Sequence, residues 1–289
     1  MAAVSRQGTV VLWDREGKLR QRWQLAEPLT TLTWSSEGQM LVVGSDKGRA
    51  WRLSMDKPTN WQPIGALTQS ALTNLAWQPE SKTLLAVSNL GEVNLWRWEN
   101  DRKFNLYSKQ FLPAANRQSN HSVAFHPHNR SFALAGSEGV SLWKADGQAQ
   151  SHLFTTPTRA IDWDAQGEKL AVAVTEEMTA GADVLPFVAR VLAWSPEGEK
   201  LAVVDMENRL GFWTQAGGLQ PMVRLPEVPR QISFSPNGAQ LLVIYGDRPA
   251  QLISLALLPQ IEQSLKAACR WLKAPDQPPL SQAETIRCS

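Results

Sequence analysis

The amino-acid sequence predicts an all-β fold made of one repeated unit of about four strands. Six short segments alternate apolar and polar residues, and each ends on an aromatic residue: Trp34, Trp77, Phe125, Trp163, Trp194 and Phe234. A turn residue stands four positions after each aromatic, and a large apolar residue follows three positions later. Most units continue to a second aromatic. This pattern is typical of strands joined by short hairpins.

The first strand of each unit carries an aliphatic residue two positions before its aromatic. These residues are Leu32, Leu75, Val123, Ile161, Leu192 and Ile232. A period of two places both side chains on one face of a strand, so each first strand has one apolar face. The pairs Glu37-Gly38, Glu197-Gly198 and Asn237-Gly238 supply the backbone freedom that a tight hairpin needs.

The second and third strands complete the apolar face. The second strand begins at Leu41, Leu84, Phe132, Leu170, Leu201 and Leu241. The third strand ends on Trp13, Trp51, Trp96, Trp143, Trp213 and, less well, Ile253. Nine of the 13 tryptophans fall in these two aromatic positions, which indicates core packing rather than a binding site.

A fourth, more polar strand fits in the remaining residues of each unit. A four-stranded unit that repeats every 38 to 48 residues matches a propeller blade. We therefore predict a β-propeller over residues 1–256 with about seven blade-like units, the usual range for this architecture. The first and fifth units are incomplete, and six blades are the alternative if the fifth unit is absorbed.

Three segments resemble the consensus of the WD-repeat family: Phe234-Ser-Pro-Asn-Gly238, Trp194-Ser-Pro-Glu-Gly198 and Gly8-Thr-Val-Val-Leu-Trp-Asp14. Only Trp13-Asp14 keeps the Trp-Asp pair in its place, and the family's Gly-His pair is absent. The tail, with Cys269-Arg-Trp-Leu272 and Cys288, resembles that of large bacterial, notably cyanobacterial, WD-repeat proteins. The resemblance implies a scaffold for protein partners.

Residues 257–289 predict a short helix and a Pro-rich tail packed on the propeller. Pro259 suits a first helical turn, and an apolar stripe at helical spacing follows it: Ile261, Leu265, Ala268 and Leu272. We expect Cys269 and Cys288 to be reduced in the cytoplasm.

Two units are short. The chain starts inside a unit, because Met1 takes the position of the second-strand residue before Trp13, and the last unit has no clear fourth strand. Two readings stay open: a start lost from the first unit, or an open edge that a partner strand fills. The fifth unit has room for one outer strand, around Val184 to Phe187, but not for two.

Catalytic patterns are absent from the sequence, so we expect no enzyme and no cofactor. There is no nucleophile elbow, phosphate loop or cysteine pair at zinc spacing. His126-Pro127-His128 falls in a hairpin, which argues against a metal site. Asp162 and Asp164 are interpreted as polar residues between core positions rather than a catalytic pair. The net charge of +2, with no signal peptide and no long apolar run, predicts a cytoplasmic protein that binds neither nucleic acid nor membrane.

One position combines charge with the repeat. Two residues before each first-strand aliphatic residue stand Thr30, Thr73, His121, Arg159, Arg190 and Arg230. In a propeller these positions surround the mouth of the central channel. We therefore predict that His121, Arg159, Arg190 and Arg230 form a basic half-ring at the channel mouth. Arginine binds carboxylates through two parallel hydrogen bonds. We therefore expect a non-catalytic scaffold or sensor that binds an acidic protein partner. An upstream domain on a separate chain is a second expected partner. A small-ligand or enzymatic site at the channel mouth is the alternative.

Overall fold

The structure, a computed structural model, describes most of the repeat region. The described residues are 1–14, 18–78, 82–99, 103–111, 122–129, 131–144, 146, 148–174, 184–216, 218–220, 223–246 and 250–255. The predicted C-terminal helix and both cysteines, as well as His121, lie outside this part of the chain.

The described residues form β-strands joined by turns and short loops, which confirms the all-β prediction. The strands are β1 (Ala2–Val4), β2 (Thr9–Trp13), β3 (Leu19–Gln24), β4 (Leu29–Trp34), β5 (Met40–Ser45), β6 (Arg49–Ser54), β7 (Gln62–Ala66), β8 (Leu72–Trp77), β9 (Thr83–Ser88), β10 (Glu92–Glu99), β11 (Lys103–Phe111), β12 (Ser122–Phe125), β13 (Ser131–Gly136), β14 (Gly139–Lys144), β15 (Ala149–Phe154), β16 (Thr158–Trp163), β17 (Leu170–Val174), β18 (Val184–Trp194), β19 (Lys200–Asp205), β20 (Arg209–Thr214), β21 (Gly218–Leu219), β22 (Val223–Arg224), β23 (Pro229–Phe234), β24 (Gln240–Tyr245) and β25 (Gln251–Ser254).

Within the described residues these strands make six sheets, the smaller of the two predicted numbers. The first sheet holds β1–β3, the second β4–β7, the third β8–β11, the fourth β12–β15, the fifth β16–β22 and the sixth β23–β25. Each sheet is a meander of antiparallel neighbours, apart from one parallel pair in the fifth. The aromatic positions found in the sequence end β4, β8, β12, β16, β18 and β23, which we call the inner strands. Successive inner strands contact one another.

The fifth sheet explains why the repeat count exceeds the sheet count. Residues 184–188 of β18 pair with β17 in parallel, from Leu170↔Val184 to Val174↔Val188. The same strand then continues as the inner strand of the next unit and pairs antiparallel with β19. The short fifth unit therefore keeps one added strand at the predicted place, and it merges with the sixth unit into one seven-stranded sheet.

The core lies between neighbouring units rather than inside one. Alternate residues of a strand point to opposite faces, so each sheet contributes to two apolar layers. Trp194, Leu201 and Val203 pack with Ala171 and Ala173 of the preceding unit. The second-strand residues predicted from the repeat are fully buried: Leu41, Leu84, Phe132, Leu170, Leu201 and Leu241 are each 0% exposed.

Two details of the aromatic pattern are corrected by the structure. Leu53, not Trp51, lies opposite Leu41, and Trp51 lies two residues earlier, opposite Val43. The repeat includes Trp194 but not Trp98, which lies two residues beyond the repeated aromatic Trp96. Both are 8% exposed, since Trp98 packs against the ring of Phe104 at 4.6 Å between the second and third sheets.

In four units the first hairpin is closed by a buried polar residue directly after the aromatic. The Oγ atoms of Ser35, Ser195 and Ser235 accept hydrogen bonds from main-chain N–H groups at the start of the second strand, each 3.0 Å long. Asp164 does the same through Oδ1. These caps satisfy backbone donors that the turn leaves unpaired. They fix the ends of these four inner strands.

The first and last sheets have three strands each in the described part of the chain. The first sheet ends at β1 on the side where the other sheets have an inner strand. The sixth sheet has its first three strands and ends at β25. Among the described residues, no helix is long and apolar enough to span a membrane.

Candidate functional site

The predicted basic position is a bulge near the start of five of the six inner strands. At this point the pairing between the inner strand and the second strand of its sheet shifts by one residue. The inner strand therefore has one residue more than the second strand, and that residue is the one at the predicted position. This holds for Thr30, Thr73, Arg159, Arg190 and Arg230. A bulge bends the strand and re-aims the side chain of the extra residue. In these five units the repeat therefore re-aims one side chain at the same position.

The bulges lie at the end of the sheet where the turn connects the second strand to the third strand. Thr30 and Thr73 use this nearness to fold their hydroxyl groups back, and each Oγ1 donates to a main-chain oxygen of the second strand, at 3.3 Å and 3.2 Å. Arg190 reaches further, and both its Nε and Nη2 donate to the carbonyl oxygen of Met206, at 3.2 Å and 3.1 Å. These bonds hold the guanidinium group of Arg190 at the rim of the sheet.

Arg159 and Arg230 occupy the same bulge position on their own inner strands, and both side chains are exposed. Arg230 lies along Gly246, where an added Cβ would be 3.0 Å from Nε. Both arginines project towards solvent from inner strands that flank the strand of Arg190. The structure thus places Arg159, Arg190 and Arg230 on three consecutive inner strands at one face. The fourth predicted residue, His121, lies outside the described residues.

Two acidic groups at the end of β19 and in the turn after it are paired with an arginine of their own sheet. Asp205 pairs with Arg209 at 2.6 Å, and Glu207 pairs with Arg209 at 3.3 Å. Burial acts to raise the pKa of Asp205, but hydrogen bonds from the backbone and side chain of Arg209 outweigh it and leave the pKa lowered. No ion pair within the described part of the chain involves Arg159, Arg190 or Arg230.

Asp162 and Asp164 do not form a catalytic pair. Asp164 caps its own hairpin, whereas the Oδ2 of Asp162 accepts a 2.8 Å hydrogen bond from the main-chain N–H of Trp194 on the next inner strand. Burial raises the pKa of Asp162 to about 7; hydrogen bonds from two main-chain groups oppose this rise, and the nearby Asp164 adds to it. The role of Asp162 is to join two inner strands. Sequence reasoning missed this role, because an alternating strand pattern does not show which face borders a neighbour.

The histidine hairpin also bridges two units. The ring of His126 lies 4.9 Å from the ring of Trp163, and a Cβ at Gly167 would be 2.4 Å from its Cε1. The Nε2 of His128 lies 3.0 Å from the carbonyl oxygen of Ala165. The described residues contain no group of three or more metal-ligand side chains. This hairpin lies at the opposite end of the inner strands from the arginines, and its contacts are those of packing.

Comparison with known proteins supports the architecture. No family model and no curated protein matches this sequence. Among solved structures, the chain is similar to the β-propeller domain of Cps50 (Swd1) from Myceliophteria thermophila. The TM-score is 0.68 at 16% sequence identity, over 88% of this chain and 93% of that one. The likeness defines the fold as a β-propeller.

Proposed function

We propose that this protein is a non-catalytic, WD-repeat-type propeller that binds protein partners, and that an acidic segment docks on the face carrying Arg159, Arg190 and Arg230. The propeller fold supports an interaction platform, since the fold presents one broad face of loops and bulges. In the sequence His121 occupies the same repeat position, and we propose it as the fourth basic residue of this site. We propose further that residues 257–289 form a short helix and a Pro-rich tail that pack on the propeller.

The observation that carries the proposal is the bulge. A charged residue on a regular surface strand is ordinary, but here three arginines occupy the one position per unit that a bulge re-aims. Two of them are exposed, and the third is held in place by the carbonyl of Met206. A fixed arginine loses less conformational freedom on binding, which favours Arg190 as an anchor.

The charges also give a physical reason for binding. Like charges gathered on one face raise each other's electrostatic energy, and an acidic group relieves this repulsion. Arginine suits carboxylates because its planar group can donate two parallel hydrogen bonds. The face is open to water, so the interaction should weaken as salt increases.

The test reverses charge at the two exposed positions. We expect the double variant Arg159→Glu, Arg230→Glu to lose both partner capture and binding of a labelled poly-glutamate peptide. Its melting temperature should stay close to that of the parent, because neither side chain is buried. Arg190 is left intact because its hydrogen bonds to Met206 also hold the fold.

A matched control reverses two exposed arginines on outer strands, Arg22→Glu and Arg224→Glu. The net charge change is the same, so a general charge effect would weaken binding equally in both double variants. Equal losses, or no loss in Arg159→Glu, Arg230→Glu, would contradict the assignment of the basic face.

A further inference from the structure

An exposed apolar residue stands two positions before each arginine of the basic face. These residues are Pro157, Val188 and Val228, and the two valines are 40% and 46% exposed. Single aliphatic side chains at a protein surface are ordinary. Here they recur at one repeat position in three consecutive units, directly beside a charged residue. The basic face therefore has an apolar component.

The residue between each apolar residue and its arginine is buried. Thr158 is 4% exposed, Ala189 is 0% exposed, and Pro229 is also buried. These three residues pair with the last residues of the second strands β17, β19 and β24. Because alternate residues of an extended chain point the same way, the apolar side chain and the arginine on either side of the buried residue both point away from the core.

The backbone holds the apolar side chains in place. Val188 pairs with Val174, and Val174 also pairs with Thr158, so these three residues form one row across the fifth sheet. Neighbouring strands lie about 4.8 Å apart, which puts Val188 about 10 Å from Thr158. Pro157 and Pro229 have a fixed φ, which restricts the entry to their strands. A rigid apolar surface loses little conformational freedom when a partner covers it.

We infer that the partner segment on the basic face is amphipathic: its carboxylates pair with the arginines, and its aliphatic side chains cover Val188 and Val228. This inference rests on the proposed function and adds the apolar half of the recognition. The arginines select an acidic partner by charge complementarity. Contact with the valines removes apolar surface of both molecules from water, and salt does not screen this contribution as it screens the ion pairs.

The spacing within each unit defines the pattern of the partner. The exposed apolar residue and the arginine are two positions apart, which is about 7 Å in an extended chain. An extended partner matches this spacing when a carboxylate and an aliphatic residue are also two positions apart, because both side chains then point to the same side. The expected pattern is Glu-x-Leu-x, repeated along the segment.

The probe is a labelled peptide that repeats Glu-Ser-Leu-Ser three times. Its control repeats Glu-Ser-Ser-Ser, so the two peptides have the same length and charge and differ only in the leucines. We expect the leucine peptide to bind the full chain about tenfold more tightly in fluorescence anisotropy, because its leucines bury apolar surface. Added salt should weaken the binding of both peptides by a similar factor.

Threonine variants locate the apolar contact. The double variant Val188→Thr, Val228→Thr exchanges one methyl group for a hydroxyl group at each exposed position and keeps the β-branched shape that suits a strand. It should bind the serine peptide like the parent, which also shows that the face is intact, and its preference for the leucine peptide should fall to about twofold or less. The control double variant Leu153→Thr, Val223→Thr changes exposed aliphatic residues on outer strands and should keep the full preference.

The outcomes separate this inference from the proposed function. Equal binding of the two peptides by the parent would overturn the inference and leave the acidic site standing. An unchanged preference in the Val188→Thr, Val228→Thr variant would also overturn it, because the leucines would then contact another surface. Failure of both peptides to bind the parent would contradict the proposed function as well.

Discussion

The main-chain N–H of Trp194 donates a hydrogen bond to the Oδ2 of Asp162, on the preceding inner strand, at 2.8 Å. At these residues each inner strand pairs with a strand of its own sheet on one side only, so the N–H groups on its other side need other acceptors. The same solution recurs where Leu75 donates to Thr31 Oγ1 at 3.1 Å and Ile161 donates to Ser122 Oγ at 3.2 Å. Side chains of one unit thus satisfy the backbone of the next.

Asp162 should make stability depend on pH. Its pKa is about 7 in the folded protein against an ordinary 3.8, so the folded state holds a proton that the unfolded chain releases. The free energy of unfolding should therefore fall as pH rises between these two values, by at most about 1.4 kcal/mol per pH unit from this group. Asp162→Asn keeps an oxygen acceptor for Trp194 and does not ionise. Urea unfolding from about pH 4 to about pH 8 should show a flatter pH dependence for this variant. An unchanged slope would remove Asp162 as the cause.

Trp194 and Trp98 should contribute similarly to stability. Each is buried between two units, so replacement by alanine should lower the free energy of unfolding by about 3–5 kcal/mol. The guanidinium group of Arg52, 4.5 Å above the Trp98 ring, adds a contact that Trp98→Ala would also lose. Denaturant unfolding measures both variants. Tyr107→Ala is the control, because Tyr107 is 48% exposed, and it should cost less than about 1 kcal/mol. A cost for Trp98→Ala as small as that of the control would contradict its burial.

Alanine variants of Gly48 and Gly38, two turn residues of the same sheet, should distinguish the cost of backbone strain from the cost of steric crowding. Both have positive φ, 76° and 67°, so alanine at either position should cost about 1–2 kcal/mol from the backbone alone. A Cβ at Gly48 would lie 2.4 Å from the carbonyl oxygen of Thr68, whereas a Cβ at Gly38 would meet no atom within 4 Å. Gly48→Ala should therefore be less stable than Gly38→Ala by about 1–3 kcal/mol in thermal or denaturant unfolding. Equal losses would mean that the loop at Thr68 moves aside freely.

Much of the fold follows from residue spacing in the sequence. The aliphatic-x-aromatic pairs, the hairpin turns and the buried residue after each turn depend on local geometry, so Leu41 or Leu201 could be assigned without coordinates. The shared role of β18 could not, because a parallel pairing with β17 depends on contacts between residues distant in sequence. The burial of Trp98 was missed for the same reason: Phe104 comes from the next strand, and the repeat does not predict its ring position.

The candidate site was predicted only in part. The repeat assigns Arg159, Arg190 and Arg230 to equivalent positions in three units. The structure places these positions on consecutive inner strands. The bulge at that position leaves no residue pattern in the sequence, since threonine and arginine both occupy it. The hydrogen bonds from Arg190 to Met206 depend on how the following turn folds back. A sequence pattern identifies the position, but not which arginine is fixed and which are exposed.

The most direct test of the basic face is site-specific photocrosslinking. A photoreactive amino acid replaces Arg230 in one variant and Arg22, on an outer strand, in another, and each is irradiated with the protein partner captured by the parent chain. Our account predicts a crosslinked complex from position 230, reduced by added poly-glutamate and by high salt, and none from position 22. Crosslinking from position 22 but not from position 230 would contradict the assignment of the partner to this face.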